Sequence, residues 1–127
     1  MWDDLSVEQH LFFYARLKGV PRRWEAGLVH YVAEMVELDG DPLLKPASSL
    51  SGGMKRRLSL GISLIGNPRI WLLDEPSTGL SPETRREIWN IIEKRKLRSR
   101  KAGGIGKSII LTTHSMEEGQ QQNTRRQ

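Results

Sequence analysis

Two adjacent carboxylates, Asp74 and Glu75, directly follow a short apolar segment at residues 70–73. The segment is too short for a helix and predicts a buried strand of a parallel sheet. Ligands of open α/β sheets bind at the carboxyl ends of the strands, where a carboxylate is costly unless it meets a cation or handles a proton. Adjacent strand residues point to opposite sides, so Asp74 could hold Mg²⁺ while Glu75 aligns or deprotonates a water. The alternative interpretation is a strand that runs into an acidic turn.

Residues 50–54, Leu-Ser-Gly-Gly-Met, form a second candidate site at the predicted start of a helix. Gly52 and Gly53 let a ligand approach the backbone closely, and the free N–H groups of a first helical turn favour phosphate. The Ser51 hydroxyl could add one more hydrogen bond. The alternative is an ordinary helix cap without a ligand.

His114 is the third candidate, because it follows a second apolar segment at residues 109–113. A strand there would end at the same sheet edge as the two acids, which favours a contact with phosphate. A lone histidine with a structural role is the alternative.

Apolar periodicity and capping residues predict the elements that must position these side chains. Helices are predicted at residues 5–18, 22–38 and 51–65 and from Ser81 onward, with a turn or loop at residues 39–42. Ser6 and Gln9 match a capping box, and Pro82 suits the first position of the last helix. Strand, helix and strand then follow one another after residue 68, which predicts a βαβ unit and a parallel sheet.

Composition limits the classes of function. The 127 residues suit one domain, and 37% hydrophobic with 28% charged residues is typical of a soluble globular protein. The absence of cysteine excludes disulfides and thiolate metal sites, and no apolar run reaches the ~18–20 residues of a membrane helix. The net charge is +5, and the basic run at residues 95–101 could meet nucleic acid or an anionic membrane, or form a solvated surface. Because no aromatic residue is interleaved with that run, we expect no nucleic-acid partner.

The order of the three candidates resembles that of ATP-binding cassette (ABC) ATPases. Residues 50–54 resemble the family's signature motif, residues 70–75 its Walker B strand, residues 76–82 its D-loop and residues 111–114 its switch-histidine strand. Met54, together with residues 55–59 and 115–118, is most similar to the A subfamily of lipid exporters. The resemblance extends over residues 2–118.

This resemblance implies an α/β fold: an incomplete P-loop NTPase domain of the ABC type, with a helical subdomain followed by a partial parallel sheet and its flanking helices. Residues 1–67 would be the helical subdomain that bears the signature, and residues 68–118 the partial ATPase core. Residues 119–127 lack apolar periodicity and are expected to be a disordered polar tail.

The implied cofactors are ATP and Mg²⁺. Asp74 would organise Mg²⁺, Glu75 would be the catalytic base and His114 would sense the γ-phosphate. The family sandwiches two ATP molecules head to tail between two nucleotide-binding domains, so the signature would clasp ATP bound to the opposite domain. The signature positions are Ser51, Gly52, Gly53 and Met54, and the D-loop positions are Ser77, Thr78, Gly79, Leu80 and Ser81. The implied partners are that second domain and the transmembrane domains of a transporter, met at the cytoplasmic face of a membrane without insertion of this chain.

The phosphate loop is where the chain departs most from the family. That loop, the adenine-stacking aromatic and the Q-loop glutamine would lie before Met1. Residues 106–108, Gly-Lys-Ser, match the last three residues of the phosphate-loop pattern. That pattern requires a glycine five residues before Gly106, but this position is Lys101, and a strand rather than a helix follows. We therefore expect that the isolated chain neither binds ATP tightly nor hydrolyses it.

Other departures concern the D-loop and the end of the chain. Ser81 stands where the family often has aspartate, and residues 95–107 are longer than the family usually needs. The resemblance stops after Glu118, which suggests a truncation or a misread gene end. A sheet that lacks strands would expose its edges, so we also expect aggregation or marginal stability.

Three functions are compatible with these residues. The first is a fragment of the ATP-binding and ATP-hydrolysing subunit of an ABC transporter, which the subfamily resemblance associates with lipid transport. The second is a non-enzymatic module that docks on a complete nucleotide-binding domain. The third is a soluble ABC protein of translation or DNA repair, which the basic run would suit.

Overall fold

A computed structural model describes residues 1–101 and 108–113. The elements, in chain order, are α1 (Val7–Leu17), α2 (Arg22–Met35), α3 (Asp41–Leu44), a 3-10 turn (Ala47–Ser49), α4 (Gly52–Leu64), β1 (Ile70–Asp74), α5 (Pro82–Lys101) and β2 (Ser108–Thr112). The predicted α/β class is confirmed, with helices in the first half and a βαβ unit in the second. Residues 102–107 and 114–127 lie outside the described residues, and so does the prediction of a polar tail at residues 119–127.

The start of α1 has the predicted capping box. The Ser6 hydroxyl accepts the Gln9 N–H at 3.1 Å, and the Gln9 side chain accepts the Ser6 N–H at 2.8 Å. His10 is fully buried behind this cap; its Nε2 accepts the Trp2 N–H at 3.0 Å, and its Nδ1 lies 2.8 Å from the Ser6 carbonyl oxygen. These bonds fix the N-terminal end of the helical layer.

One apolar core joins the helices to the sheet. Buried core side chains include Leu11, Val32, Met35, Leu58, Ile65, Trp71, Ile88 and Ile91. Gly61 allows α4 to lie close to α2, because a Cβ there would be 3.3 Å from the Val32 side chain. Lys18 donates hydrogen bonds to the carbonyl oxygens of Ile62 and Ile65 at the end of α4, and partial burial lowers its pKa. The C-terminal half of α4 is therefore held against α1 and α2.

β1 and β2 pair in parallel, with Ile70 opposite Ser108 and Asp74 opposite Thr112. α5 connects the two strands, as the βαβ prediction required. Ser81 precedes α5 and its hydroxyl accepts the Thr84 N–H at 3.3 Å, which agrees with the prediction of a helix that starts at Ser81.

Two details of the prediction were wrong. The strands were expected to be buried, but only one face of the sheet is covered: Trp71 is 3% exposed, whereas Leu72 is 68% exposed and Ile110 is 50% exposed. The reason is that the described helices pack against one face alone. Residues 39–42 were expected to be a turn or loop, but α3 begins at Asp41, with Pro42 in its first turn.

Along residues 1–101 and 108–113, no helix is both long enough and apolar enough to cross a membrane.

Candidate functional site

The first turn of α4 presents an open backbone. Ser51 is the N-cap, and its hydroxyl accepts the Met54 N–H at 3.2 Å. A Cβ on Gly52 would have no neighbour within 4 Å, whereas a Cβ on Gly53 would lie 2.6 Å from Cγ2 of Thr84 in α5. The two glycines therefore differ in role. Gly52 leaves the outer side of the turn open to a ligand, and Gly53 lets α5 approach the inner side.

Asp74 ends β1 and is exposed. Its Oδ1 accepts a hydrogen bond from the Thr112 hydroxyl at 2.5 Å, across the two paired strands. Thr112 thus orients one oxygen of this carboxylate, and the side chain remains accessible at the carboxyl edge of the sheet, as predicted.

Glu75 begins the turn after β1 and has a left-handed backbone, with φ of 42°. Its N–H donates to the Thr112 carbonyl at 2.9 Å, which extends the strand pairing by one bond. Its carboxylate accepts the Thr78 hydroxyl at 3.1 Å, and its carbonyl accepts the Thr78 N–H at 3.2 Å. Left-handed φ is uncommon for a residue other than glycine and occurs frequently at functional sites. The two acids therefore differ in backbone and in partners.

Arg56 of α4 reaches this same turn. Its Nε donates to the Pro76 carbonyl at 2.8 Å and its Nη2 to the Glu75 carbonyl at 2.9 Å. The helix that starts at Ser51 is consequently bonded to the backbone of Glu75. Arg56 was noted in the sequence only within residues 55–59, as part of the resemblance to the A subfamily, and no local pattern could have indicated a contact twenty residues away.

The rest of the turn leads into α5. Ser77 is buried, and Gly79 has φ of 76°, a left-handed conformation that suits glycine. Leu80 is half-buried against the core, and the Ser81 hydroxyl donates to the Thr84 hydroxyl at 3.0 Å. Thr84 therefore contacts both the end of this turn and the first turn of α4.

Comparison with known proteins identifies the family. The family model described as "ABC transporter" matches residues 2–78. The chain belongs to the ABC transporter family. Among its relatives, "ABC transporter A family member 12" of Arabidopsis thaliana is 47% identical over 121 residues, which is 94% of this chain and 12% of that protein. "ATP-binding cassette sub-family A member 2" of Rattus norvegicus is 45% identical over 120 residues, which is 93% of this chain and 4% of that protein.

These similarities confirm the predicted ABC ATP-binding domain and its A subfamily. The chain corresponds to about an eighth or less of the length of the relatives it matches. The matched residues 2–78 include the first turn of α4 and both acids, and they end at Thr78.

The exposed carboxylate of Asp74 is a suitable ligand for Mg²⁺, the metal that an ABC domain implies. In the part of the chain that the structure describes, no group of three or more His, Cys, Asp or Glu residues could enclose a metal ion. Mg²⁺ does not need such an enclosure, because it is held by one or two carboxylates together with substrate phosphates and waters. Asp74, exposed and oriented by Thr112, fits that requirement. His114, the predicted γ-phosphate sensor, lies outside the described residues.

Proposed function

We propose that this chain is the part of an A-family transporter ATPase that carries the ABC signature and the Walker B acids, and that it acts in ATP-driven transport, with lipid as the transported class. The observation that supports this proposal most directly is the bonding of two candidate sites to each other. The open turn at Ser51 and Gly52 begins a helix whose Arg56 holds the backbone of Glu75. A ligand-contacting turn and an acidic strand end are thus mechanically connected.

The signature residues would act on ATP held by a second nucleotide-binding domain. Ser51, Gly52, Gly53 and Met54 would offer a hydroxyl and first-turn N–H groups to phosphate oxygens, with the positive end of the helix dipole behind them. Residues 77–81, the D-loop, would lie at the same interface, because Thr84 joins their end to Gly53. The transmembrane domains of the transporter would be the other partner, at the cytoplasmic face of the membrane.

The acids would divide the remaining chemistry between them. Asp74 would hold Mg²⁺, which when bound neutralises phosphate charge. Glu75 would accept a proton from the attacking water, and its bond from Thr78 would aim one carboxylate oxygen. His114 would contact the γ-phosphate.

Hydrolysis by the isolated chain is not expected. Its 127 residues contain no Gly-x-x-x-x-Gly-Lys-Ser/Thr sequence, so the backbone cradle for the β- and γ-phosphates is not supplied by these residues. One helix N-terminus stabilises an anion by at most about 2 kcal/mol, which is less than the ~4 kcal/mol of a millimolar complex.

Association with an ATP-loaded partner tests the signature role. The partner is the nucleotide-binding domain of an A-family relative whose own catalytic acid has been changed to glutamine, so that Mg-ATP stays intact. We expect the chain to bind this partner in sedimentation velocity only when ATP is present. Gly52→Glu should weaken binding at least about tenfold, because it sets a carboxylate against phosphate in a turn with open space around it.

Gly27→Glu is the matched control, because a Cβ added at Gly27 also has no neighbour within 4 Å, but this glycine lies in α2. Equal binding by the chain and the Gly52 variant, or binding that ignores ATP, would reject the signature role.

A non-enzymatic docking module is the second candidate, favoured by the open space beside Gly52 at the start of α4, which a complete nucleotide-binding domain could use without any reaction in this chain. The two candidates separate when the phosphate-loop half of a relative's domain is added to the chain. ATP hydrolysis that disappears with Glu75→Gln supports the ATPase, whereas partner binding without any such hydrolysis supports the docking module.

A further inference from the structure

We propose that Arg56 is a positioning residue that sets the backbone of Glu75 and transmits movement of the signature turn to it. The geometry of this inference is taken from contacts among the described residues. Its functional consequence rests on the proposed function. Arg56 borders the cleft beside Asp74, and its hydrogen bonds go to the backbone carbonyls of Glu75 and Pro76. It lies on α4, which begins at Gly52, and it bonds to the turn that follows β1.

Two nitrogens of the Arg56 guanidinium donate to consecutive peptide units. Nε meets the Pro76 carbonyl at 2.8 Å and Nη2 meets the Glu75 carbonyl at 2.9 Å. A guanidinium is planar and its N–H groups are fixed relative to one another, so a pair of bonds to adjacent carbonyls constrains direction as well as distance. Lysine, with a single ammonium on a flexible stem, cannot impose that constraint.

These bonds fall where the chain adopts an uncommon conformation. Glu75 has φ of 42°, and its N-terminal side is fixed by its own N–H bond to the Thr112 carbonyl. Its C-terminal side is the peptide unit that Arg56 engages. The Thr78 N–H also donates to the Glu75 carbonyl, at 3.2 Å, so this carbonyl is shared between a local turn bond and Arg56. We expect the turn bond alone not to hold the left-handed conformation, so loss of the two Arg56 bonds should let φ of Glu75 relax to a negative value.

The hydrogen bonds of Arg56 also connect the first turn of α4 with the Glu75 turn. α4 is a continuous helix of 13 residues, so a ligand that shifts its first turn shifts Arg56 with it. The Glu75 carbonyl should move with Arg56, because its oxygen accepts a hydrogen bond from the Arg56 side chain. By reciprocity, an altered Glu75 turn should alter how the signature turn is presented.

Arg57, the next residue of α4, has different partners from Arg56 and therefore serves as a comparison. Its Nη1 donates to the Glu37 carbonyl at 3.2 Å, and its guanidinium lies 3.8 Å from the Glu37 carboxylate and 3.7 Å from that of Glu87. These partners lie at the end of α2 and in α5. Removing Arg57 should therefore lower stability without changing Glu75, whereas removing Arg56 should change Glu75.

Solution NMR on the full 127-residue chain separates these roles, with Leu72→Thr and Ile110→Thr present in every sample to reduce association through the exposed face of the sheet. A residue with positive φ has its amide and α protons close together and gives a strong intraresidue NOE, which a residue with negative φ does not. We expect this signal at Glu75 in the unsubstituted chain and in Arg57→Gln, and its loss in Arg56→Gln. If Arg56→Gln does not fold, Arg56→Lys keeps the charge and should lose the signal as well. A Glu75 signal that persists in a folded Arg56 variant overturns the proposal.

The coupling is tested with the ATP-loaded partner domain described above. Binding should shift the Glu75 amide resonance in the unsubstituted chain and in Arg57→Gln, but not in Arg56→Gln, when each chain is compared at a partner concentration that saturates it. A Glu75 shift of equal size in the Arg56 variant overturns the coupling. Failure of the unsubstituted chain to bind rejects the proposed function instead, and leaves the NOE result to decide the positioning role.

Discussion

A Cβ atom on Gly53 would lie 2.6 Å from Cγ2 of Thr84, so the first turn of α4 and the first turn of α5 meet where only glycine fits. The same site is 3.2 Å from the Thr84 hydroxyl oxygen, so a rotation of the threonine about χ1 leaves a heavy atom near the added carbon. The signature glycine thus has a packing role within this chain, in addition to any contact with a ligand.

Gly53→Ala should therefore lower the free energy of unfolding by about 1–3 kcal/mol, the usual range for overpacking a close contact. Chemical denaturation measures this change. The double substitution Gly53→Ala with Thr84→Ala should recover most of the loss, because it removes both colliding atoms. Gly52→Ala is the control and should not destabilise, since its Cβ meets nothing within 4 Å. Non-recovery in the double variant would show that the contact is not the cause.

The hydrogen bond between Thr112 and Asp74 predicts a smaller effect. Thr112→Val keeps the branched shape but removes the donor, and should lower the free energy of unfolding by about 0.5–1.5 kcal/mol. Thr112→Ser keeps the hydroxyl and should retain the bond. If the valine and serine variants were equally stable in thermal or denaturant unfolding, the bond would contribute nothing to the folded state.

Local signals explain which parts of this structure the sequence predicted well. The capping box of Ser6 and Gln9 is formed within four consecutive residues, and the βαβ order follows from apolar segments and a helix between them. Asp74 and Glu75 were located correctly because strand ends in a parallel sheet share an edge.

Contacts between distant segments were not predictable in this way. Arg56 with Pro76 and Gly53 with Thr84 depend on how α4 and α5 are packed, and no periodicity encodes that arrangement. The burial of β1 was misjudged for a related reason. An apolar strand such as Ile70–Asp74 has the same sequence pattern whether helices cover one face of the sheet or both. Its sequence therefore could not show that Leu72 is exposed.

Arg57 should be among the more important ionic residues for stability. It joins α4 to Glu37 and to Glu87 of α5, and its side chain is only 16% exposed. Arg57→Gln should lower the free energy of unfolding by about 1–3 kcal/mol, because it leaves a partly buried carbonyl and two carboxylates with weaker partners. Lys96→Gln is the matched control: the Lys96 side chain, paired with Glu93, is 43% exposed, and its loss should change stability by no more than about 0.5 kcal/mol. Equal losses would contradict this ranking.

The uncovered face of the sheet predicts self-association. Ile70, Leu72 and Ile110 are 59%, 68% and 50% exposed, and they belong to two adjacent strands. Exposed apolar strands of this kind pair with other chains. We expect the 127-residue chain to form soluble oligomers or aggregates in light scattering, and the double substitution Leu72→Thr with Ile110→Thr to shift it toward monomer. Threonine is β-branched, a shape that strands favour, so the fold should persist.

Leu97→Thr is the control for that last substitution. Leu97 is 53% exposed but lies on α5, away from the paired strands, so its replacement removes a comparable apolar side chain without touching the sheet face. Association should persist in this variant. A chain that is monomeric and melts cooperatively without any substitution would mean that the exposed face of β1 and β2 does not drive association, and that two strands covered on one side suffice for a stable domain.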